Sequence, residues 1–226
     1  VHLCVVIPAL NEEQSLPKVL AAIPASLKAH VIVVDNGSTD RTAALARGAG
    51  AQVVSQPERG YGAACLAGIA ALPPECEVVA FLDADYSDFP EELPALLAPI
   101  HAGSADLVIG SRMLGRREKG ALPPHSLFGN WLAGRLLWIL YRQPATDLGP
   151  FRAIRREALD SLLMRDRAYG WTVEMQIKAA RTGLRTVEVP VRYRKRIGKS
   201  KITGSLVASF RAGATILTVL FREGRR

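Results

Sequence analysis

The sequence predicts an α/β protein with a mostly parallel central sheet flanked by helices. Short apolar runs alternate with amphipathic segments through the first half, the pattern of successive βα units. Carboxylates and turn residues follow directly on two of those runs, at Val33-Val34-Asp35-Asn36-Gly37 and Phe81-Leu82-Asp83-Ala84-Asp85, and strand C-termini are where open α/β sheets bind ligands. The chain has 226 residues, 49% hydrophobic, 22% charged and 6% aromatic, which fits one large domain and excludes disorder, collagen and coiled coil.

Strands are expected near 2–8, 30–35, 51–55, 77–82 and 106–110. Between them, 12–22, 40–48, 61–71 and 91–101 carry Leu, Ala, Val and Ile at helical spacing, each opened by a first-turn acid, a cap or a proline. After Gly110 the sequence predicts a basic loop over 112–125, an apolar helix over 126–141 and a short extended piece over 147–154. Two helices, 155–164 and 171–182, then a strand over 185–193 and an amphipathic terminal helix from about Gly204 complete the chain. The N-terminus reads as a strand rather than a signal peptide, and no run reaches the roughly 18 apolar residues of a membrane span.

Lys and Arg number 29 against 21 Asp and Glu, a net charge of +8, which points to anionic partners. Cys4, Cys65 and Cys76 are odd in number and form no CxxC, so neither a disulfide framework nor a zinc site is indicated, and a reducing, cytoplasmic compartment is expected. Nucleic-acid binding calls for basic residues interleaved with aromatics. The basic run Arg192, Arg194, Lys195, Arg196, Lys199 and Lys201 includes only Tyr193, so no nucleic acid is expected as a partner.

The chemistry concentrates at Asp83 and Asp85. Residues i and i+2 of an extended chain point the same way, and a divalent cation bridging to a diphosphate relieves the repulsion between two such carboxylates. The alternative is a solvated acidic turn. Asp35 ends another strand, where it could accept hydrogen bonds from a base or ribose. Ile7-Pro8-Ala9-Leu10-Asn11-Glu12-Glu13 is not a glycine fingerprint, which argues against a dinucleotide-binding Rossmann protein. Gly198-Lys199-Ser200 is not a P-loop, because Tyr193 stands where the first glycine belongs.

Ile7-Pro8-Ala9-Leu10-Asn11-Glu12-Glu13, Val34-Asp35-Asn36-Gly37-Ser38-Thr39-Asp40, Arg59-Gly60-Tyr61-Gly62-Ala63-Ala64 and Asp83-Ala84-Asp85 stand in order, and together they resemble inverting family 2 glycosyltransferases of the GT-A fold. Gly110-Ser111-Arg112, Thr146-Asp147-Leu148-Gly149-Pro150-Phe151-Arg152, Trp171-Thr172-Val173-Glu174-Met175 and Arg196-Ile197-Gly198-Lys199-Ser200-Lys201 resemble the later motifs of dolichyl-phosphate mannose synthases and related polyprenyl-phosphate glycosyltransferases. The likeness runs from Val5 to about Phe221. Leu10 replaces a common tyrosine, and Gly149-Pro150 replaces a more polar turn.

The resemblance implies one GT-A domain over 1–203, with a nucleotide-sugar half at 1–110 and an acceptor half at 111–203, followed by the 204–226 helix. It implies that Pro8, Ala9, Leu10 and Glu12 line the nucleoside together with Asp35, Gly37, Ser38, Arg59 and Gly60. Asp83 and Asp85, with Ser87 near, would hold Mg²⁺ or Mn²⁺ against the diphosphate, and Ala84 would leave room for close backbone approach. Arg112, Arg196 and Lys201 would pair with phosphates. The implied reaction moves a hexose, mannose or glucose, from a GDP- or UDP-sugar to a polyprenyl or dolichyl phosphate.

A phosphomonoester acceptor, with a second pKa of about 6, is largely dianionic at neutral pH and needs no strong base. A soluble or glycan hydroxyl acceptor, the competing reading, requires a carboxylate base, with Glu174 the first candidate and Asp147 the second. Either could equally orient Arg112, Arg152 or Arg196. A non-catalytic nucleotide- or nucleic-acid-binding module is the alternative of another class. Residues 126–141 and 205–221 combine bulky apolar side chains with few charges, which suits an interfacial membrane helix, the alternatives being core packing or a homodimer contact. Peripheral attachment at the cytoplasmic face of a membrane is expected, directly or through a separate membrane subunit.

Overall fold

The computed structural model describes residues 2–198. Lys199, Lys201 and the helix expected from Gly204 lie outside the described residues. The elements run β1 (Leu3–Ala9), α1 (Leu16–Ala22), β2 (His30–Asp35), α2 (Thr42–Gly48), β3 (Gln52–Ser55), α3 (Tyr61–Ala70), β4 (Val78–Phe81), α4 (Leu93–His101), β5 (Leu107–Ser111), α5 (Pro124–Tyr141), β6 (Arg152–Arg155), α6 (Arg156–Leu162), α7 (Trp171–Arg181) and β7 (Thr186–Pro190). The strands form one seven-stranded sheet of order β3-β2-β1-β4-β6-β5-β7, parallel except where β6 runs antiparallel to β4 and β5.

Both faces of the sheet are covered, so the central strands read as continuous apolar runs rather than alternating ones. Leu3, Val5, Ile7 and Ala9 of β1 face α1 and α4, packing with Leu16, Val19, Leu93 and Leu96. Cys4 and Val6 face the other way, toward Ala64 and Cys65 of α3 and Trp171 and Met175 of α7.

Chain order reverses between β1 and β4, and ligand crevices open at such a switch point. Pro8 helps to keep this one open. The Val6 carbonyl accepts from the Leu82 N–H on the β4 side, and the Ala9 carbonyl accepts from the Asn36 N–H on the β2 side. Residue 8 shares the direction of residue 6, so the proline nitrogen, which has no hydrogen to donate, faces β4. Pairing of β1 with β4 ends at Val6 opposite Phe81, while pairing with β2 continues to Ala9 opposite Asp35.

Three boundaries differ from the sequence expectation. Helix α1 starts at Leu16 rather than residue 12, because the Glu12 N–H donates to Thr42 Oγ1 and the Glu13 N–H to Asp40 Oδ2, so these residues form a rim turn. Strand β7 stops at Pro190, and the chain beyond it pairs instead with residues 85–88, the Arg194 N–H donating to Ser87 O and the Ile197 N–H to Asp85 O. The piece expected to be extended over 147–154 yields a strand only from Arg152, since the Asp147 main chain turns to meet Glu188.

Helix α3 begins against the segment 165–168, whose carbonyls cap it: Gly62 N–H donates to Ala168 O and Ala63 N–H to Arg167 O. A Cβ on Gly62 would stand 2.1 Å from Asp166 O, and one on Gly60 2.2 Å from Arg167 O. Gly62→Ala should therefore destabilise the fold by about 1–3 kcal/mol through overpacking. Gly129→Ala in α5, where nothing lies within 4 Å, should stabilise it by about 0.5–1 kcal/mol. Urea denaturation of the two variants checks the opposite signs.

Candidate active site

A cavity of about 550 Å³ opens at the carboxyl ends of β1, β2 and β4. Of the residues expected from sequence, Pro8, Ala9, Leu10, Glu12, Arg59, Gly60, Asp83, Ala84, Asp85 and Arg196 line it. Asn36, Tyr61, Ala64, Ala168 and Tyr169 line it too, without having been singled out. Asn36 is mostly a clamp: its Nδ2 donates to Gln56 O and Glu58 O, and its Oδ1 accepts from Gly60 N–H. It thereby fixes the loop that carries Arg59.

Five of the residues expected to hold the donor or its metal stand outside the lining. Asp35 accepts from Ser38 N–H at 3.0 Å, closing the turn after β2. Gly37 takes φ 84° there, and Ser38 Oγ accepts from Asn11 N–H at 2.9 Å, which ties this turn to the loop after β1. Ser87 and Arg112 serve carboxylates, as follows. Lys201 lies outside the described residues.

Asp85 is almost fully buried. Its Oδ1 accepts from Ser87 N–H at 2.9 Å and Ser87 Oγ at 2.5 Å, and its Oδ2 faces Arg196 Nη1 at 3.0 Å. Burial, then the charge on Asp85, push the Asp83 carboxyl up to about 7, against the opposing pull of Arg196 and Arg112. Asp88 is buried with both carboxylate oxygens unpartnered, and burial followed by Asp83 raises its pKa well above the ordinary value.

The segment after β7 delivers Arg196. Arg194 lies over Tyr86 at 3.3 Å and Phe89 at 4.0 Å from the ring centroids, and its guanidinium donates to Tyr86 O and Asp88 O. Arg192 is held on Glu92 through its own N–H and Nε.

No group of three or more His, Cys, Asp or Glu that could hold a metal occurs among the described residues. A hard cation bound through one or two carboxylates and completed by substrate phosphate oxygens suits that donor set. Asp83 and Asp85 fit such an ion: like charges at one strand end, one raised in pKa by the other.

Asp147 is fully committed. It accepts from Arg112 Nε at 2.8 Å, Nη2 at 2.6 Å and backbone N–H at 2.7 Å, and from Gly149 N–H at 3.0 Å. Burial raises its pKa, but the Arg112 charge and hydrogen bonds outweigh that and leave it lowered. It is the orienting partner of Arg112. Arg152 is fully buried and donates instead to the carbonyls of Thr172, Leu148 and Gly149.

Glu174 is also fully buried and outside the cavity lining. It accepts from Arg165 N–H at 3.1 Å, Asp166 N–H at 2.7 Å and Lys178 Nζ at 2.8 Å. Where the sequence led us to expect a base, the carboxylate anchors the segment that caps α3 and puts Ala168 and Tyr169 on the cavity wall. Glu174→Gln should cost about 1–3 kcal/mol, the scale for leaving buried hydrogen-bonding groups poorly satisfied, and raise KM for the donor. Thermal unfolding and steady-state kinetics check this. A kcat loss at unchanged stability and KM would restore the base.

Residues 4–163 match the family model described as Glycosyl transferase family 2. The chain is 46% identical over 213 residues to an uncharacterized glycosyltransferase of Mycobacterium tuberculosis, covering 91% of each. It is 37% identical to the dolichyl-phosphate hexose transferase of Haloferax volcanii, covering 99% of this chain and 96% of that one. Among solved structures it is similar to glucosyl-3-phosphoglycerate synthase from Mycobacterium tuberculosis in complex with Mn²⁺, uridine-diphosphate-glucose and phosphoglyceric acid. That likeness has a TM-score of 0.78 at 26% identity and covers 99% of this chain and 79% of the other. The chain has the GT-A fold expected from its sequence, and it is a glycosyltransferase belonging to family 2.

Proposed function

We propose that this enzyme transfers a hexose, with inversion, from a nucleoside diphosphate to a polyprenyl phosphate. The observation that carries the reading is the commitment of the carboxylates expected to act as bases. Asp147 is clamped by Arg112 and Glu174 by two backbone amides and Lys178. Asp88 has unpartnered oxygens, but it is buried and stands outside the cavity lining. An acceptor that arrives already anionic needs none of them, and a phosphomonoester does so. The dolichyl-phosphate hexose transferase of Haloferax volcanii supports the same acceptor class.

The donor fits the cavity at the switch point, with Pro8, Ala9, Leu10 and Glu12 toward the nucleoside and Asp83, Ala84 and Asp85 toward the diphosphate. Bound Mg²⁺ or Mn²⁺, held by Asp83 and Asp85 with Ser87 adjacent, would neutralise the charge on the departing diphosphate. Arg196 adds a side-chain cation there. Arg112, oriented by Asp147, offers its guanidinium to the acceptor phosphate. A soluble acceptor hydroxyl is the second reading, favoured by the phosphoglyceric acid in the glucosyl-3-phosphoglycerate synthase structure.

With GDP- and UDP-sugars, Mn²⁺ or Mg²⁺ and a short polyprenyl phosphate, hexosyl transfer should occur and fall at least about 100-fold in Asp85→Ala. Transfer to phosphoglyceric acid or to the dephosphorylated polyprenol, with none to the phosphate, would overturn the acceptor assignment.

The acceptor's lipid calls for a bilayer contact, and α5 presents one. Phe128, Trp131, Trp138, Ile139 and Leu140 are exposed, and positions 128, 131, 135, 138 and 142 alternate steps of three and four, which places them along one helix stripe. Arg135 and Arg142 lie 5.5 and 6.0 Å from the Trp138 ring centroid, and residues 124–142 contain no Asp or Glu. Aromatic and guanidinium groups without acids suit an anionic lipid surface. The opposite face of α5 is fixed near the acceptor side, Asn130 bonding Thr146 O and Leu148 N–H on either side of Asp147. No helix among the described residues is long and apolar enough to cross a membrane.

Co-sedimentation with vesicles rich in phosphatidylglycerol should weaken about tenfold in Trp131→Ser/Trp138→Ser, with donor binding retained. Unchanged vesicle binding, or a dimer in the wild type that the double substitution dissociates, would instead make this face a contact between copies.

A further inference from the structure

The outward oxygen of Asp85 already has a cation on it. Oδ1 faces inward to the Ser87 amide and hydroxyl, and Oδ2 is paired with Arg196 Nη1 at 3.0 Å. A divalent cation arriving on Oδ2 would stand beside the guanidinium charge already there, and the two cations repel. The Arg196 backbone has little freedom to retreat, because Arg194 N–H and Ile197 N–H bond the 85–87 backbone and the Arg194 guanidinium sits against Tyr86 and Phe89. The Arg196 side chain, about one-third exposed on the cavity wall, can swing.

We infer that Arg196 is a stand-in cation on Asp85 that makes metal retention conditional on a diphosphate. This rests on the reading that Asp83 and Asp85 hold the donor's metal, and it is independent of the acceptor. The guanidinium leaves Oδ2 only when it is offered replacement oxygens, and its forked donors match phosphate geometry. A nucleoside diphosphate has oxygens for the metal and for Arg196 together. A nucleoside monophosphate brings one phosphate for two cations, so it leaves Arg196 on the carboxylate. Arg196 is thus a specificity-determining residue, selecting donors that carry a second phosphate, and it keeps the two carboxylates compensated while the site waits.

Mn²⁺ titration followed by electron paramagnetic resonance tests this, on the protein alone and with UDP, GDP, UMP or GMP at saturation. In the wild type, Mn²⁺ alone should bind weakly, the matching diphosphate should tighten it by about tenfold or more, within the usual range of coupling between sites, and the monophosphates should leave it nearly unchanged. In Arg196→Met, Mn²⁺ alone should bind several-fold tighter than in the wild type, and the diphosphate enhancement should shrink. Arg196→Lys, which keeps the charge, should restore the weak binding of Mn²⁺ alone, and matched melting temperatures confirm that both variants fold. Mn²⁺ binding in Arg196→Met that is no tighter than wild type, or an enhancement equal for mono- and diphosphates, would overturn the inference while leaving the proposed reaction standing. No Mn²⁺ binding with either diphosphate would overturn both, whereas failed transfer to a polyprenyl phosphate would overturn only the acceptor assignment.

Discussion

Negative charge crowded at the end of one buried strand is the constraint around which this crevice is organised. Asp83, Asp85 and Asp88 fall within six residues of each other at the mouth of β4, in surroundings that raise the pKa of Asp83 and Asp88. The neighbouring structure reads as a response to that charge. The chain leaves β7 at Pro190 and crosses to the acidic loop, where Arg194 stacks on its aromatics and Arg196 pairs with Asp85. Arg112 approaches from β5, anchored by Asp147 rather than by the acidic loop.

The donor and acceptor sides are linked mechanically. Asp147 orients Arg112, Gln176 of α7 holds the Asp147 carbonyl, and Glu188 of β7 accepts from the Thr146 and Asp147 amides. Asn130 of α5 brackets the same turn. Helix α5 therefore bears directly on the turn that orients Arg112. Glu174 plays the corresponding part on the donor side, through the segment that ends in Ala168 and Tyr169.

Most of the sheet was legible because its strands are buried on both faces and stand out as apolar runs between capped amphipathic helices. Asp83 and Asp85 stood out as carboxylates after an apolar strand, and the Pro8–Glu12 rim through the family motif that it resembles; both line the cavity. Tyr169 and Ala168 were not, since they reach the cavity only through tertiary contact of the 165–168 segment with α3, and no periodicity records that. The packing of Glu174 was hidden for the same reason. Its spacing to Lys178 fits an i,i+4 pair, but its main partners are backbone amides, which carry no sequence signature. The strand expected over 185–193 ends at Pro190, and the course of the chain after it depends on a loop about a hundred residues earlier.

Many α/β proteins grip phosphates with the free amides at the start of a helix. Here the Gly62 and Ala63 amides at the start of α3 already serve the Ala168 and Arg167 carbonyls, which leaves less of that backbone device for a ligand. In the proposed reaction, recognition of the diphosphate would rest mainly on side chains and a bound ion. Such a grip is sensitive to ionic strength, since charges near solvent are screened over about 10 Å at 0.1 M salt. It is also divisible: single substitutions can retune the strength and selectivity of donor capture without disturbing the backbone, giving the scaffold room to diversify among sugar donors while its architecture stays fixed.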